Sequence, residues 1–157
     1  MSVNPIPTGC HSVTPYLVIK DAVSAIEFYK SVFGAEELMR MEMQPGVIGH
    51  AELRIGDSII MLSEEFVEMG FRSPLTLGGT PVSLMIYIPD AEEVFVQALT
   101  AGAQLVRPVM DQFYGDRSGM LTDPYGHVWT IATHIEDVAP DEMKRRMDEF
   151  LKENPMN

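Results

Sequence analysis

Apolar residues recur along this chain with two periods, and the order in which those periods alternate is itself repeated. Pro15 to Ile19 is a short aromatic and β-branched run that predicts a strand buried on its Leu17 and Ile19 side. Asp21 can cap the helix that follows, whose apolar positions Val23, Ile26, Tyr29 and Phe33 share one face, and Gly34 ends it. A strand from Glu37 to Met43 and a Pro45-Gly46 turn come next. From Gly49 the alternation is strict: His50, Glu52 and Arg54 point one way, Ala51, Leu53 and Ile55 the other. Gly56-Asp57 then turns the chain into a fourth strand, Ile59 to Leu62, so this stretch reads β-α-β-β-β.

The same order returns after a connector rich in Gly and Pro. Val82 to Ile88 reads as a strand, and Ala91, Val94, Phe95, Ala98 and Leu99 mark a helix stopped by Gly102. A strand around Leu105 to Val109, a polar loop from Asp111 to Gly119 and a strand from Met120 to Thr122 follow. The turn Asp123-Pro124-Tyr125-Gly126 leads into the last strand, His127 to His134. Asp21-Ala22 is echoed by Asp90-Ala91, Gly34-Ala35 by Gly102-Ala103, and Gly56-Asp57 by Tyr125-Gly126, an offset of about 69 residues. A duplication of this size implies a pseudo-symmetric fold with a site between its halves. After Pro140, the spacing of Met143, Met147, Phe150 and Leu151 predicts an amphipathic C-terminal helix, whose apolar stripe a partner subunit or a sheet edge would cover. The expected organisation is an arm over 1–12, a first module over 13–65, a linker over 66–81, a second module over 82–137, and a helix and tail over 138–157, together one domain.

Composition narrows the partners. Eleven Lys and Arg against 23 Asp and Glu give a formal charge of −12, which disfavours nucleic acid and anionic membranes. Cys10 is the single cysteine, so no intrachain disulfide can form. No apolar run reaches the roughly 20 residues that span a bilayer, and the first residues lack a signal core, so a cytoplasmic location is expected.

The phrases IEFYKSVFGAE, AELRIGDSIIMLSEE and LTDPYGHVWTIATH, in register with the doubled β-α-β-β-β order, resemble the glyoxalase, bleomycin-resistance and extradiol-dioxygenase superfamily, the vicinal oxygen chelate proteins. The stretch QFYGDRSGMLTDPYGHVWTIATHIEDVAPDEM resembles its PhnB-like, glyoxalase-like branch. The resemblance implies an α+β fold of two βαβββ modules with curled mixed sheets, plus the C-terminal helix. It also implies metal-ligand positions on the first and fourth strands of each module, which fall here on Thr14, Met61, Ser83 and Thr130. A thioether and three neutral hydroxyls are poor ligands for Mg²⁺, Mn²⁺, Fe²⁺ or Zn²⁺. No cofactor is therefore expected at the usual positions, while a displaced divalent metal stays open.

Several residues carry candidate chemistry. His50 and Glu52 share a strand face with Arg54; they could hold a metal or ligand, or Glu52 and Arg54 could form an ion pair. His134 is a candidate general base near a strand end. The loop Gln112-Phe113-Tyr114-Gly115-Asp116-Arg117 offers an amide, two aromatics and a charge pair to a ligand; Asp116 and Arg117 could instead pin it to a partner or to the Asp123 turn. Tyr16 and Tyr87 would line a cavity wall, and Met39, Met41 and Met43 share a face suited to a permissive pocket or a subunit interface. Leu17, Ile19, Leu84, Ile86, Trp129 and Ile131 read as core, and Glu64 and Glu65 as a solvated strand end. Two functions follow: a homodimeric protein binding a small aromatic or cationic ligand without metal, or a lyase, isomerase or dioxygenase using His50 and Glu52 or His134.

Overall fold

The computed structural model describes residues 3–155. It contains β1 (Tyr16–Ile19), α1 (Ala22–Phe33), β2 (Glu36–Gln44), β3 (Val47–Ile55), β4 (Ser58–Glu64), α2 (Pro74–Leu77), β5 (Ser83–Tyr87), α3 (Ala91–Thr100), β6 (Gln104–Asp111), β7 (Asp116–Thr122), β8 (Val128–His134) and α4 (Pro140–Glu153). The strands form two four-stranded mixed sheets, ordered β1-β4-β3-β2 and β5-β8-β7-β6. In each, the first strand runs parallel to the fourth and the remaining pairs are antiparallel. The chain divides into two compact units; one holds the first sheet with Pro124–His127, the other the second sheet with α4. No helix among the described residues is long and apolar enough to cross a membrane.

The pairing register states the duplication in structural terms. Tyr16 pairs with Met61, and Met85 with Thr130, so both partners move by the same 69 positions (16 to 85, 61 to 130). Leu17, Ile19, Ala51, Leu53 and Leu62 are buried, together with Ile26 and Tyr29 of α1. Alternation along the strands then turns Tyr16, His50, Glu52 and Met61 to the helix-free face. In the second unit Phe95 of α3, Leu121, Trp129 and Ile131 form the core, and the Trp129 indole N–H donates to Asp123 Oδ2 at 2.8 Å. Burying each large apolar side chain contributes about 1.5–3 kcal/mol. Leu84 and Ile86, expected in that core, are only half-buried.

Both units anchor their first helix from the end of the fourth strand. Glu64 Oε1 and Oε2 accept from the N–H groups of Asp21 and Ala22, each at 2.9 Å, while Asp21 Oδ1 accepts from Ser24 N. Asp21 sits at φ 68, the one non-glycine in the left-handed region among the described residues, and the paired bonds from Glu64 hold it there. In the second unit Thr133 takes this role: its Oγ1 accepts from Ala91 N at 2.9 Å, and Asp90 caps α3 in an extended conformation.

The end of β4, the connector and the polar stretch before β7 carry more structure than their sequences announce. Glu64 is a helix anchor, and Glu65 is also engaged, accepting from Ser73 N and the Thr76 hydroxyl at 2.9 Å each. These bonds, the Ser73 amide first, hold Glu65 below the usual carboxylate range. The connector contains a 3₁₀ turn, Val67–Met69, and the short helix α2. The polar stretch expected as a loop from Asp111 to Gly119 is mostly strand: β6 runs to Asp111 and β7 starts at Asp116, leaving only 112–115 as loop. Pairing with β8, Asp116 opposite His134 and Ser118 opposite Ala132, overrides the poor strand propensity of Asp, Ser and Gly.

Candidate functional site

The first sheet turns a polar and thioether-rich row to its helix-free side. Partners in neighbouring strands present side chains to the same face, so Tyr16, Met61, Glu52 and Met39 form one row, and Met41 pairs with His50. The Tyr16 hydroxyl lies 2.9 Å from His50 Nδ1, and His50 Nε2 lies 3.3 Å from Glu52 Oε1. One tautomer of the neutral imidazole satisfies both partners. Its Nε2–H donates to the carboxylate, and its bare Nδ1 accepts the phenol proton. The Tyr16 and His50 rings lie 5.6 Å apart, tilted by 33°. Tyr16 is 49% exposed, so the chain of bonds opens to solvent at its phenolic end. Arg54 pairs with Glu36 across the β2–β3 hairpin, and not with Glu52. Met39, Met41 and Met43 are all exposed along the edge strand β2, where register shifts interrupt the ladder.

The second sheet assembles a different cluster from the same residue types. Tyr87 O–H donates to Asp116 Oδ2 at 2.9 Å, and Asp116 Oδ1 lies 2.7 Å from His134 Nδ1. His134 Nε2 lies 2.9 Å from Asp137 Oδ1. Carboxylates on both sides favour an imidazole that carries a proton on each nitrogen. The bond to Asp116, then that to Asp137, raises its pKa above the ordinary imidazole value. Tyr87 is likewise raised, first by its bond to Asp116. Asp116 is 4% exposed, which makes it the fixed centre of the cluster. Sequence pattern assigns no face to Asp116 because its strand is disguised as loop, and Asp137 lies beyond the last strand.

The other loop candidates are held by their own unit. Arg117 donates to Asp111, Nε to Oδ1 at 2.6 Å and Nη2 to Oδ2 at 3.1 Å, so it is paired neither with Asp116 nor with the Asp123 turn. The Gln112 amide donates to the Met110 and Ser118 carbonyls at 3.5 Å. Phe113 packs its ring 5.3 Å from Phe150 of α4 and 5.3 Å from Tyr114. Arg146 of α4 donates to the Phe113 carbonyl at 3.4 Å and to both carboxylate oxygens of Glu136.

A model of the family described as Glyoxalase/Bleomycin resistance protein/Dioxygenase superfamily matches residues 10–131. The chain belongs to that superfamily. An uncharacterized protein of Mycobacterium tuberculosis, Rv0887c, is 39% identical over 150 residues, 94% of this chain and 86% of that protein. TioX from Micromonospora sp. ML1 has a similar structure, with a TM-score of 0.62 at 26% identity over 82% of this chain and 100% of TioX. A PhnB protein from Bacillus cereus shares the fold, with a TM-score of 0.62 at 21% identity over 78% of this chain and 99% of that one.

The superfamily's metal can be tested against these residues. Met61 stands between Tyr16 and Glu52 in its row, and the Thr14 hydroxyl donates to the His11 carbonyl at 3.3 Å. Ser83 pairs with Val128 and Thr130 with Met85 and Met120. Three neutral hydroxyls and a thioether do not fit a divalent cation. Nor do the described residues place three or more His, Cys, Asp or Glu side chains together as a metal site.

Proposed function

We propose that this protein binds a small organic ligand, aromatic or cationic, and does so without the metal that its superfamily commonly employs. The reading is supported by Thr14, Met61, Ser83 and Thr130 at the positions that the resemblance assigns to metal ligands, and by helix-free sheet faces that carry Tyr16, His50, Met61, Met85 and Tyr87. Aromatic and thioether side chains contact flat or branched organic groups without demanding one shape. A net charge of −12 favours cations over anions at long range.

The test is a thermal-shift screen of metal-free protein against aromatic cations and neutral aromatics, with metal content measured in parallel. A ligand at 100 times its dissociation constant adds about 2.7 kcal/mol to stability. Stoichiometric metal that is lost when His50 or Glu52 is replaced would sink this reading.

A second reading, acid–base catalysis in a lyase, isomerase or oxygenase, is favoured by the Tyr16–His50–Glu52 chain, whose carboxylate, imidazole and phenol stand in the order of a proton relay. His134 is the weaker candidate, because both its nitrogens already bond carboxylates of its own unit. Recovery of every bound ligand unchanged after prolonged incubation supports binding; conversion abolished by His50→Gln supports the enzyme.

A further inference from the structure

We infer that the Tyr16–His50–Glu52 chain selects ligands by hydrogen-bond polarity, and that its occupant is an organic ammonium ion with an apolar flank. The inference rests on the binding reading above and goes beyond it by assigning the site and the charge class.

The selectivity comes from where the protons lie. In the tautomer that satisfies both contacts, Glu52 Oε1 takes the proton of His50 Nε2, and His50 Nδ1 takes the proton of the Tyr16 hydroxyl. Every donor in the chain is therefore spent inside it. What remains for a ligand is acceptor capacity: the lone pairs of Tyr16 Oη, and Glu52 Oε2, which has no protein partner among the described residues. The other basic side chain of β3, Arg54, is engaged by Glu36. An N⁺–H group can satisfy these acceptors with charge-assisted bonds, whereas a carboxylate or phosphate would meet only like charge and lone pairs.

The flanks supply the apolar part of the occupant's surroundings. Met61 lies in the same row between Tyr16 and Glu52, with Met39 beyond Glu52 and Met41 paired to His50. The half-exposed Tyr16 ring adds a π-face on which an ammonium or aromatic group can rest. His50 and Glu52 side chains retain 21% and 27% exposure, so the acceptors are reachable yet partly shielded from screening.

The experiment uses three probes of similar shape, 2-phenylethylammonium, 3-phenylpropanoate and the neutral 3-phenylpropanol, titrated calorimetrically into the full chain. Methionine methyl and tyrosine resonances report the place of binding. The ammonium ion should bind with perturbation at Tyr16 and Met61, and the carboxylate should not. Glu52→Gln, which preserves shape while removing charge, should weaken the ammonium about tenfold or more. Tyr16→Phe, which removes one acceptor, should weaken it by roughly threefold to tenfold. His50→Phe frees the Tyr16 proton to point outward, and should narrow the preference for the ammonium over the neutral alcohol. Melting curves of each variant confirm that it folds. Equal binding of ammonium and carboxylate, or an affinity unchanged in Glu52→Gln, overturns the inference. If the neutral probe binds the metal-free protein while the ammonium shows no preference, this inference fails and the binding reading stands. If no probe binds unless a divalent metal is added, the binding reading itself fails.

Discussion

The two units place a tyrosine, a histidine and carboxylates on corresponding sheets, yet wire them in opposite senses. In the first, one carboxylate serves one imidazole, and the tautomer that satisfies both contacts runs its protons inward from Tyr16 through His50 to Glu52. In the second, two carboxylates enclose the imidazole, and Tyr87 and His134 both donate to the buried Asp116. The first arrangement leaves acceptors open to a ligand. The second favours a protonated imidazole and consumes the hydrogen-bonding capacity around it. A duplicated scaffold thus carries one cluster whose acceptors are left open and one whose polar groups bond each other.

The turns between the second and third strands of each unit carry the same contrast, and they offer the largest expected effect. Gly46, in the β2–β3 turn, has φ 80 and open space where a Cβ would stand. Gly115, before β7, has φ 98, and a Cβ there would overlap the Glu136 carbonyl oxygen. The approach is close because Ile135 N and Glu136 N both donate to the Gly115 carbonyl, at 2.9 and 3.0 Å. Gly46→Ala should cost about 1 kcal/mol, the ordinary penalty of a left-handed alanine. Gly115→Ala should cost about 3 kcal/mol or more, since backbone must move as well. Chemical denaturation of both variants measures the difference, and equal losses would show that the return of the chain past β8 does not constrain this loop.

A smaller effect tests whether the two cores were repacked in compensation. Leu62 faces Ala51, and its counterpart Ile131 faces Gly119; the helix residues at corresponding positions are Ile26 and Phe95. The larger helix side chain thus accompanies the smaller strand residue. A Cβ on Gly119 would meet Phe95 Cε2 at 2.7 Å and Val109 Cγ2 at 2.9 Å. Gly119→Ala should therefore destabilise by about 2 kcal/mol. Adding Phe95→Ile, the pairing already used in the first unit, should recover about 1 kcal/mol as a coupling energy, leaving the conflict with Val109. Strict additivity in the double-mutant cycle would rule out this compensation.

The sequence revealed each part of the fold to the extent that local pattern alone determines it. The alternation from Gly49 to Ile55 and the Asp cap at 21 announce themselves, because a strand face and a helix start are written in adjacent residues. Asp116 to Gly119 does not, because those residues are strand only by virtue of β8 beside them. Likewise Glu64 is read as solvated until the fold brings the start of α1 to it. In the candidate site, a shared face for His50 and Glu52 was legible from period two, but the bond to Tyr16 required the β1–β4–β3 order. The partner of Arg54 depended on the β2 register, where bulges defeat simple counting.

The subtlest test of the contrast is the titration of His134. Its folded pKa is raised above the ordinary value of about 6.5, first by Asp116 and then by Asp137. A group raised in this way favours the folded state while it is protonated. Its contribution is complete below about pH 6.5, where the unfolded chain is protonated too, and is lost as pH rises through the higher folded value. The imidazole C2–H resonance followed by NMR should therefore show a midpoint above about 6.5. Asp116→Asn should lower that midpoint, and Asp137→Asn should lower it less, because Asp137 is fully exposed while Asp116 is buried. A neutral amide at position 116 cannot hold a positive charge as a carboxylate does, so the pH dependence of the melting temperature above neutrality should flatten in the same variant. A His134 midpoint at or below about 6.5, or one indifferent to Asp116, would mean that the second unit's imidazole is not a fixed cation, and that the two clusters differ in geometry without differing in charge.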